Sequence, residues 1–256
     1  VMASHAPHLN RAEFRFYQEL GDFLPAERRG VSFEHAFRGT PAVKDVIESL
    51  GVPHAEVDLI MVDGESVEFA HRLTGGERVA VYPMFESFDI QSVTRLRPEP
   101  LRQPRFVLDV HLGALARLLR LMGFDARYET SFEDAQIVRI ARAARRIILT
   151  RDVGLLKRGE VTHGYWLRSQ DPVEQAKEVV RRFDLARAVR PFTRCPRCNG
   201  VLQQAEREAV RDRVPPRSLE AFDEFYECGS CGKVYWRGSH IEDIAGTIHE
   251  ILRRAP

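Results

Sequence analysis

The chain reads as a multidomain protein, α+β at its N-terminal end, α/β in its centre and stapled by a metal near its C-terminal end. Three observations predict this: short strand signals around one helix in the first third, strands alternating with helices in the middle, and cysteines confined to the last quarter. The cysteines stand as Cys195-Pro-Arg-Cys198 and Cys228-Gly-Ser-Cys231 and are the only four in 256 residues. A two-residue spacer lets both thiolates of a pair reach one ion, and Gly200 and Gly232 follow to let the chain turn beneath it. Two such pairs make one tetrahedral four-sulfur zinc site. A closed site of this kind builds structure and leaves no position open for substrate, so any chemistry belongs elsewhere. Two disulfides are the competing reading, and paired CxxC motifs behind an N-terminus without signal-peptide character favour metal.

In the first third, residues 12–20 alternate, with Phe14, Phe16 and Leu20 against Arg15, Gln18 and Glu19, and predict a strand. Residues 31–37 alternate again. Thr40 as N-cap, Pro41 at the first helical position, a 3.6-residue apolar period and Gly51 as terminator predict a helix over 40–51. Strand signals follow at 56–62, at 67–69 beyond an Asp63-Gly64 turn, and at 78–83 after Gly75-Gly76. This order of strand, strand, helix, strand, strand, with Thr74-Gly75-Gly76-Glu77-Arg78-Val79-Ala80-Val81-Tyr82-Pro83 near its end, resembles the β-grasp of ubiquitin-like and sulfur-carrier proteins. Carriers of that superfamily end in a free Gly-Gly, whereas here Pro83-Met84-Phe85-Glu86 continues the chain, which disfavours sulfur transfer or conjugation and leaves a binding or packing module.

Pro98, Pro100 and Pro104 punctuate a stretch without period, read as a linker over 91–104. Beyond it come a short strand at 106–108, a helix over 111–122 capped by Gly123, a strand at 124–128, a helix over 132–144, a strand at 146–150, a short helix at 153–157, a strand at 165–168 and a helix from Asp171-Pro172 to about 183. Strands alternating with helices imply a parallel sheet. A last amphipathic helix over 241–254 carries Ile244, Ile248, Ile251 and Leu252 and is expected to pack back onto the body.

The formal net charge of +1 hides a separation by sign. Residues 1–100 hold 10 Lys+Arg against 16 Asp+Glu, residues 101–200 hold 20 against 11, and residues 201–256 hold 8 against 10. A central third this basic suggests an anionic partner, the plainer alternative being solvated helix faces.

In an open parallel sheet, function gathers outside the carboxyl ends of the strands. Asp109 follows the strand at 106–108, Asp152 follows the one at 146–150, and Asp134 opens the helix after Tyr128. Clustered carboxylates are hard ligands that suit Mg²⁺ or Mn²⁺, and such an ion activates water and neutralises charge on a phosphodiester. Singly, each aspartate is equally a helix cap or a helix-dipole acid. Arg117, Arg120, Arg151, Lys157 and Arg158 lie around them in the sequence as phosphate contacts or as solvated surface, and His111 reads as a cap or packing residue.

The run Arg105-Phe106-Val107-Leu108-Asp109-Val110-His111-Leu112-Gly113 through Met122-Gly123-Phe124-Asp125, the turn Leu149-Thr150-Arg151-Asp152, the two cysteine pairs and Val234-Tyr235-Trp236-Arg237-Gly238-Ser239-His240 together resemble the Mut-seven C-terminal RNase family. That resemblance implies a PIN-like nuclease domain fused to a zinc ribbon, some members carrying a ubiquitin-like N-terminal domain. It divides the chain into a β-grasp at 10–90, a linker at 91–104, a PIN-like domain at 105–190, and a ribbon with its terminal helix at 191–256. It further implies a metal-dependent ribonuclease with Asp109, Asp134 and Asp152 as catalytic ligands of Mg²⁺ or Mn²⁺ and structural zinc on Cys195, Cys198, Cys228 and Cys231. Read by their own chemistry, Arg117, Arg120, Arg151 and Lys157 are the candidate phosphate contacts, and Trp236 and Arg237, beside Tyr235, the candidate base-stacking and phosphate-binding set. The fourth acid common in PIN nucleases is missing, since Leu155, Leu156 and Lys157 stand where it would fall. Tyr235 and Trp236 equally suit a cap on the ribbon's small core.

Two function classes are therefore expected: a ribonuclease acting through an aspartate-bound ion, or a non-catalytic binder of structured RNA, of tRNA or ribosomal type, that uses the PIN-like frame as a platform. The β-grasp is expected to recruit a protein partner. With no run of about 18 apolar residues for a membrane span and no signal peptide, the chain reads as cytoplasmic.

Overall fold

The computed structural model describes residues 9–83, 96, 104–236 and 239–253. Strand β1 (Leu9–Phe16) turns Ala12, Phe14 and Phe16 inward and Arg11, Glu13 and Arg15 outward. Its partners are β2 (Phe33–Arg38), antiparallel on one side, and β5 (Arg78–Pro83), parallel on the other. Helix α1 (Val43–Ser49), β3 (Val57–Val62) and β4 (Glu65–Ser66) complete a mixed sheet of order β2-β1-β5-β3-β4. A parallel central pair flanked by antiparallel strands, with one helix presenting Val43, Val46 and Ile47 to the core, is the ubiquitin-like β-grasp. Each fully buried Phe or Ile here, among them Phe14, Phe16, Ile47 and Ile60, contributes about 1.5–3 kcal/mol.

Three local expectations are corrected. The first strand ends at Phe16, because residues 18–23 tighten into a 3₁₀ turn that buries Leu20. The helix begins at Val43 with Ala42 rather than Thr40 as its cap: Ala42 is extended and bridges Arg72, and the amides of Val43 and Lys44 are taken by the carbonyls of His71 and Phe69. The strand expected at 67–69 is absent, since the Asp63-Gly64 turn pairs Glu65 and Ser66 with β3 and the chain then leaves to cover the start of α1.

Glu77, 9% exposed, clamps the Gly75-Gly76 loop by accepting from the Thr74 amide at 2.6 Å, the Thr74 hydroxyl at 2.7 Å and the Gly75 amide at 2.9 Å. Burial works to raise its pKa, but these donors outweigh burial and hold the carboxyl below the ordinary glutamate range. A depressed folded pKa stabilises fully above the unfolded value near 4.5 and is lost as pH falls through the folded value. Glu77→Ala is expected to lower unfolding free energy by about 1–3 kcal/mol through stranded donors, and to flatten the acid limb of stability. Denaturant unfolding between pH 3 and 7 reads both; a wild-type acid limb in the variant would refute the clamp.

The second sheet is built from β6 (Phe106–Leu108), α2 (Gly113–Leu121), β7 (Ala126–Arg127), α3 (Asp134–Ala144), β8 (Ile147–Thr150), α4 (Val153–Leu156), β9 (Gly164–Trp166) and α5 (Pro172–Arg182). Its order is β7-β6-β8-β9, and β6 runs parallel to both β7 and β8. Every residue of β6 and β8 is buried, as expected for strands covered on both faces. Helix α5 starts where Asp171 accepts from the amides of Val173 and Glu174.

The third sheet is an antiparallel ribbon of β10 (Leu202–Ala205), β11 (Phe225–Cys228) and β12 (Val234–Trp236). Between its first two strands, α6 (Arg207–Val210) and α7 (Pro216–Ala221) fold over a small core of Val210, Val214, Phe225 and Val234. The terminal helix α8 (Ser239–Leu252) packs on α5, where Lys177 reaches Glu174 and Glu250. Two compact units result, Val1–Arg102 with Asp152–Tyr165, and Gln103–Arg151 with Trp166–Pro256. No helix among the described residues is long and apolar enough to cross a membrane.

Candidate active site and metal centre

Asp109 follows β6 at its carboxyl end, and Thr150 closes the neighbouring β8 one step beyond the Leu108–Leu149 pairing. The Thr150 hydroxyl, fully buried, donates to Asp109 Oδ2 at 2.8 Å, and the Val110 amide donates to Oδ1 at 2.6 Å. The carboxylate is thereby aimed and half-buried, with lone pairs left on both oxygens. Tyr128 braces the turn behind it: its hydroxyl donates to the Val110 carbonyl at 2.8 Å, and a Cβ on Gly113 would meet that hydroxyl at 2.8 Å. Thr150, quoted in the sequence only as part of the turn Leu149-Thr150-Arg151-Asp152, is the partner that the structure gives Asp109. Its signal was a polar residue closing the apolar run Ile147-Ile148-Leu149.

Asp134 is exposed and stands first in α3, whose cap is a box formed by Glu133 and Gln136. Asp152, also exposed, caps α4 by accepting from the Gly154 amide at 2.7 Å. Of the basic residues, Arg117 and Arg151 are exposed. Arg120 requires a correction. It is 4% exposed, and its guanidinium donates to the carbonyls of Ala126 at 2.8 Å, Arg197 at 3.0 Å, Pro196 at 3.3 Å and Tyr128 at 3.4 Å, which removes it from phosphate contact. Lys157 donates to the Glu48 carbonyl at 2.9 Å. Trp236 packs against the ribbon's small core, as the capping alternative expected, and Arg237 lies outside the described residues.

The four cysteines converge, with ligand atoms all within 4.8 Å of one another. Cys195 and Cys231 sulfurs stand 3.8 Å apart and Cys198 and Cys228 sulfurs 3.4 Å apart. Four sulfurs at the usual zinc distance on a tetrahedron are about 3.8 Å apart, so the set fits one such ion, while a disulfide would need about 2.05 Å. The thiols titrate apart: desolvation and then the neighbouring thiols push Cys198 up to about 12, whereas at Cys195 desolvation is outweighed by hydrogen bonds from Tyr235 and from the Cys198 and Arg197 amides, which bring it down to about 7. Beneath the second pair Gly232 turns at φ +68, but beneath the first the left-handed residue is Asn199, also at φ 68. Gly200 serves a different need, since a Cβ there would come within 2.7 Å of the Cys228 sulfur. Among the described residues the thiols are the one set of three or more candidate ligands that close in this way, and the three aspartates do not form another.

The first cysteine pair is fastened to the α/β sheet. Arg120 holds the carbonyls of Pro196 and Arg197, and Asn199 accepts from the Ala126 amide at 3.0 Å while donating to Asp125 at 2.7 Å. Asp125 in turn pairs with Arg146 through both oxygens, at 2.7 and 3.1 Å. Burial would raise the Asp125 pKa, but Arg146, Asn199 and Arg194 overcome it and hold the carboxyl below the aspartate range. Arg120→Met is expected to lower stability by about 3 kcal/mol, with several buried carbonyls left unpaired, and to leave RNA affinity per folded molecule unchanged. Calorimetry beside filter binding checks this; lost affinity at wild-type stability would return Arg120 to the phosphate.

Residues 104–248 match the Mut7-C RNase domain, over half of the chain. The chain belongs to the Mut7-C RNase family. Residues 9–89 match the Mut7-C ubiquitin domain, in agreement with the β-grasp sheet. The human exonuclease mut-7 homolog is 26% identical over 235 aligned positions, which take in 61% of this chain and 27% of that protein, so the chain spans about a quarter of its relative. Two solved structures of small archaeal modifier protein 1 from Haloferax volcanii are 15% identical; they match 30% and 31% of this chain with 99% and 100% of their own, each at a TM-score of 0.25.

Proposed function

We propose that the Mut7-C domain of this chain is a ribonuclease dependent on Mg²⁺ or Mn²⁺, with Asp109, Asp134 and Asp152 as the acidic residues. The observation that carries the reading is the hydrogen bond from buried Thr150 to Asp109 at the carboxyl ends of adjacent parallel strands, where α/β sheets place their chemistry. A carboxylate fixed by a buried donor, with oxygen lone pairs free, suits a hard divalent ion. When bound, that ion supplies a water of lowered pKa and neutralises charge at phosphorus. The chain's own part is to orient Asp109 through Thr150 and Val110 and to offer the exposed Arg117 and Arg151 to the phosphate backbone of RNA. Zinc on the four cysteines is structural in this reading. The test is cleavage of labelled single-stranded and structured RNA in Mn²⁺ by wild type and Asp152→Asn; equal rates in the two would remove Asp152 from the site.

A second reading, a non-catalytic binder of structured RNA such as tRNA or ribosomal RNA, is favoured by one observation: the three aspartates do not close as the thiols do. Tight binding in EDTA with no cleavage over hours in Mn²⁺ would select it. The β-grasp in either case offers a surface for a protein partner.

A further inference from the structure

Residues Asp152–Tyr165 follow β8 in the sequence yet fall in one compact unit with the β-grasp. Specific contacts hold them there. Lys157 Nζ donates at 2.9 Å to the carbonyl of Glu48, in the last turn of α1, where a helix end attracts a cation. His54, 5% exposed, places Nε2 at 2.9 Å from the Val161 carbonyl and Nδ1 at 2.5 Å from Glu48 Oε1. A backbone carbonyl can only accept, so Nε2 carries a proton and donates to Val161, while Glu48 shares a further proton with Nδ1 and orients the ring. Phe69 of the β-grasp meets the same ring edge to face at 5.8 Å. Within the segment, Leu155, Leu156 and Val161 are buried.

The segment has little stability of its own. Helix α4 is four residues long, far below the length at which a helix persists in water. Its two ends are the Asp152 cap on the Gly154 amide and the Lys157 amide on the Val153 carbonyl. What fixes Lys157 and Val161 therefore fixes the turn that carries Asp152.

We infer that His54, Glu48 and Lys157 are positioning residues through which the β-grasp, in the same chain, holds the Asp152 segment in its working conformation. The inference rests on the ribonuclease reading for its catalytic consequence and on geometry alone for the grip. The β-grasp is then a built-in support for the Asp152 segment as well as a surface for partners.

The test uses the full chain in wild-type, His54→Ala, Lys157→Met and Lys157→Arg forms, with amide hydrogen exchange and RNA cleavage measured across a Mn²⁺ series. Lys157→Met is expected to raise exchange at residues 153–161 at least about tenfold, as the loss of about one charged hydrogen bond would, without loosening β1 and β5. The Mn²⁺ concentration for half-maximal cleavage is expected to rise with little change in KM for RNA, and Lys157→Arg is expected to restore both. Wild-type protection and Mn²⁺ requirement in Lys157→Met would overturn the inference, even if His54→Ala fails to fold. Absence of cleavage by wild type would overturn the ribonuclease reading instead, and the exchange measurement would still decide the grip.

Discussion

Asp109→Asn is expected to reduce Mn²⁺-dependent RNA cleavage by about 10³-fold or more, the equivalent of roughly 4 kcal/mol of lost ion and transition-state stabilisation. The amide keeps the volume, its oxygen accepts from the Val110 amide and its NH₂ donates to the Thr150 hydroxyl, so the sheet survives, but the anionic oxygen that holds a cation is removed. Thr150→Val separates aim from ligation. It leaves the carboxylate in place and deletes the group that orients it, for an expected loss of about 10–100-fold, the usual effect of removing a residue that holds a metal ligand. Initial rates at fixed Mn²⁺, normalised to zinc content as a check on folding, read both. Full activity in Asp109→Asn would end the assignment of this carboxylate.

Stripping the metal from the four cysteines is expected to unfold the ribbon. A structural zinc contributes on the order of 10–16 kcal/mol to a small domain, and the four buried side chains at the ribbon's core cannot replace it. The damage is expected to spread beyond the ribbon, because the loop of the first pair supplies Asn199 to Asp125 and the carbonyls of Pro196 and Arg197 to Arg120. Losing those partners leaves buried charges less satisfied within the sheet domain. Metal content by mass spectrometry, with Tm before and after a chelator and in Cys228→Ala, measures the effect. An unchanged Tm in metal-free protein would remove the metal from the fold. Because the ligands bind as thiolates, acid is expected to lower the chelator concentration needed.

Arg120 shows where a sequence reading loses its grip. On the sequence it stands three residues from Arg117 in a basic helix, and spacing alone makes both candidates for phosphate. From Leu112, the cap of α2, the row Leu112, Ala116, Arg120 is spaced by four and buried throughout, whereas Arg117 is exposed. Asn199 is a second instance, since the turn beneath the first pair was credited to glycine, and only the backbone shows a left-handed asparagine whose side chain is in use.

The sequence by itself determined the β-grasp, the alternation that builds a parallel sheet, and the pairing of the cysteines, because period and spacing are local properties that survive without knowledge of neighbours. Tertiary structure alone decided which polar groups face which. It gave Asp109 its Thr150, turned Arg120 inward to the cysteine loop, and tied the Asp152 segment to His54 and Glu48 across more than a hundred residues of sequence. Such hydrogen bonds depend on the meeting of distant strands and loops, and no local pattern encodes their partners.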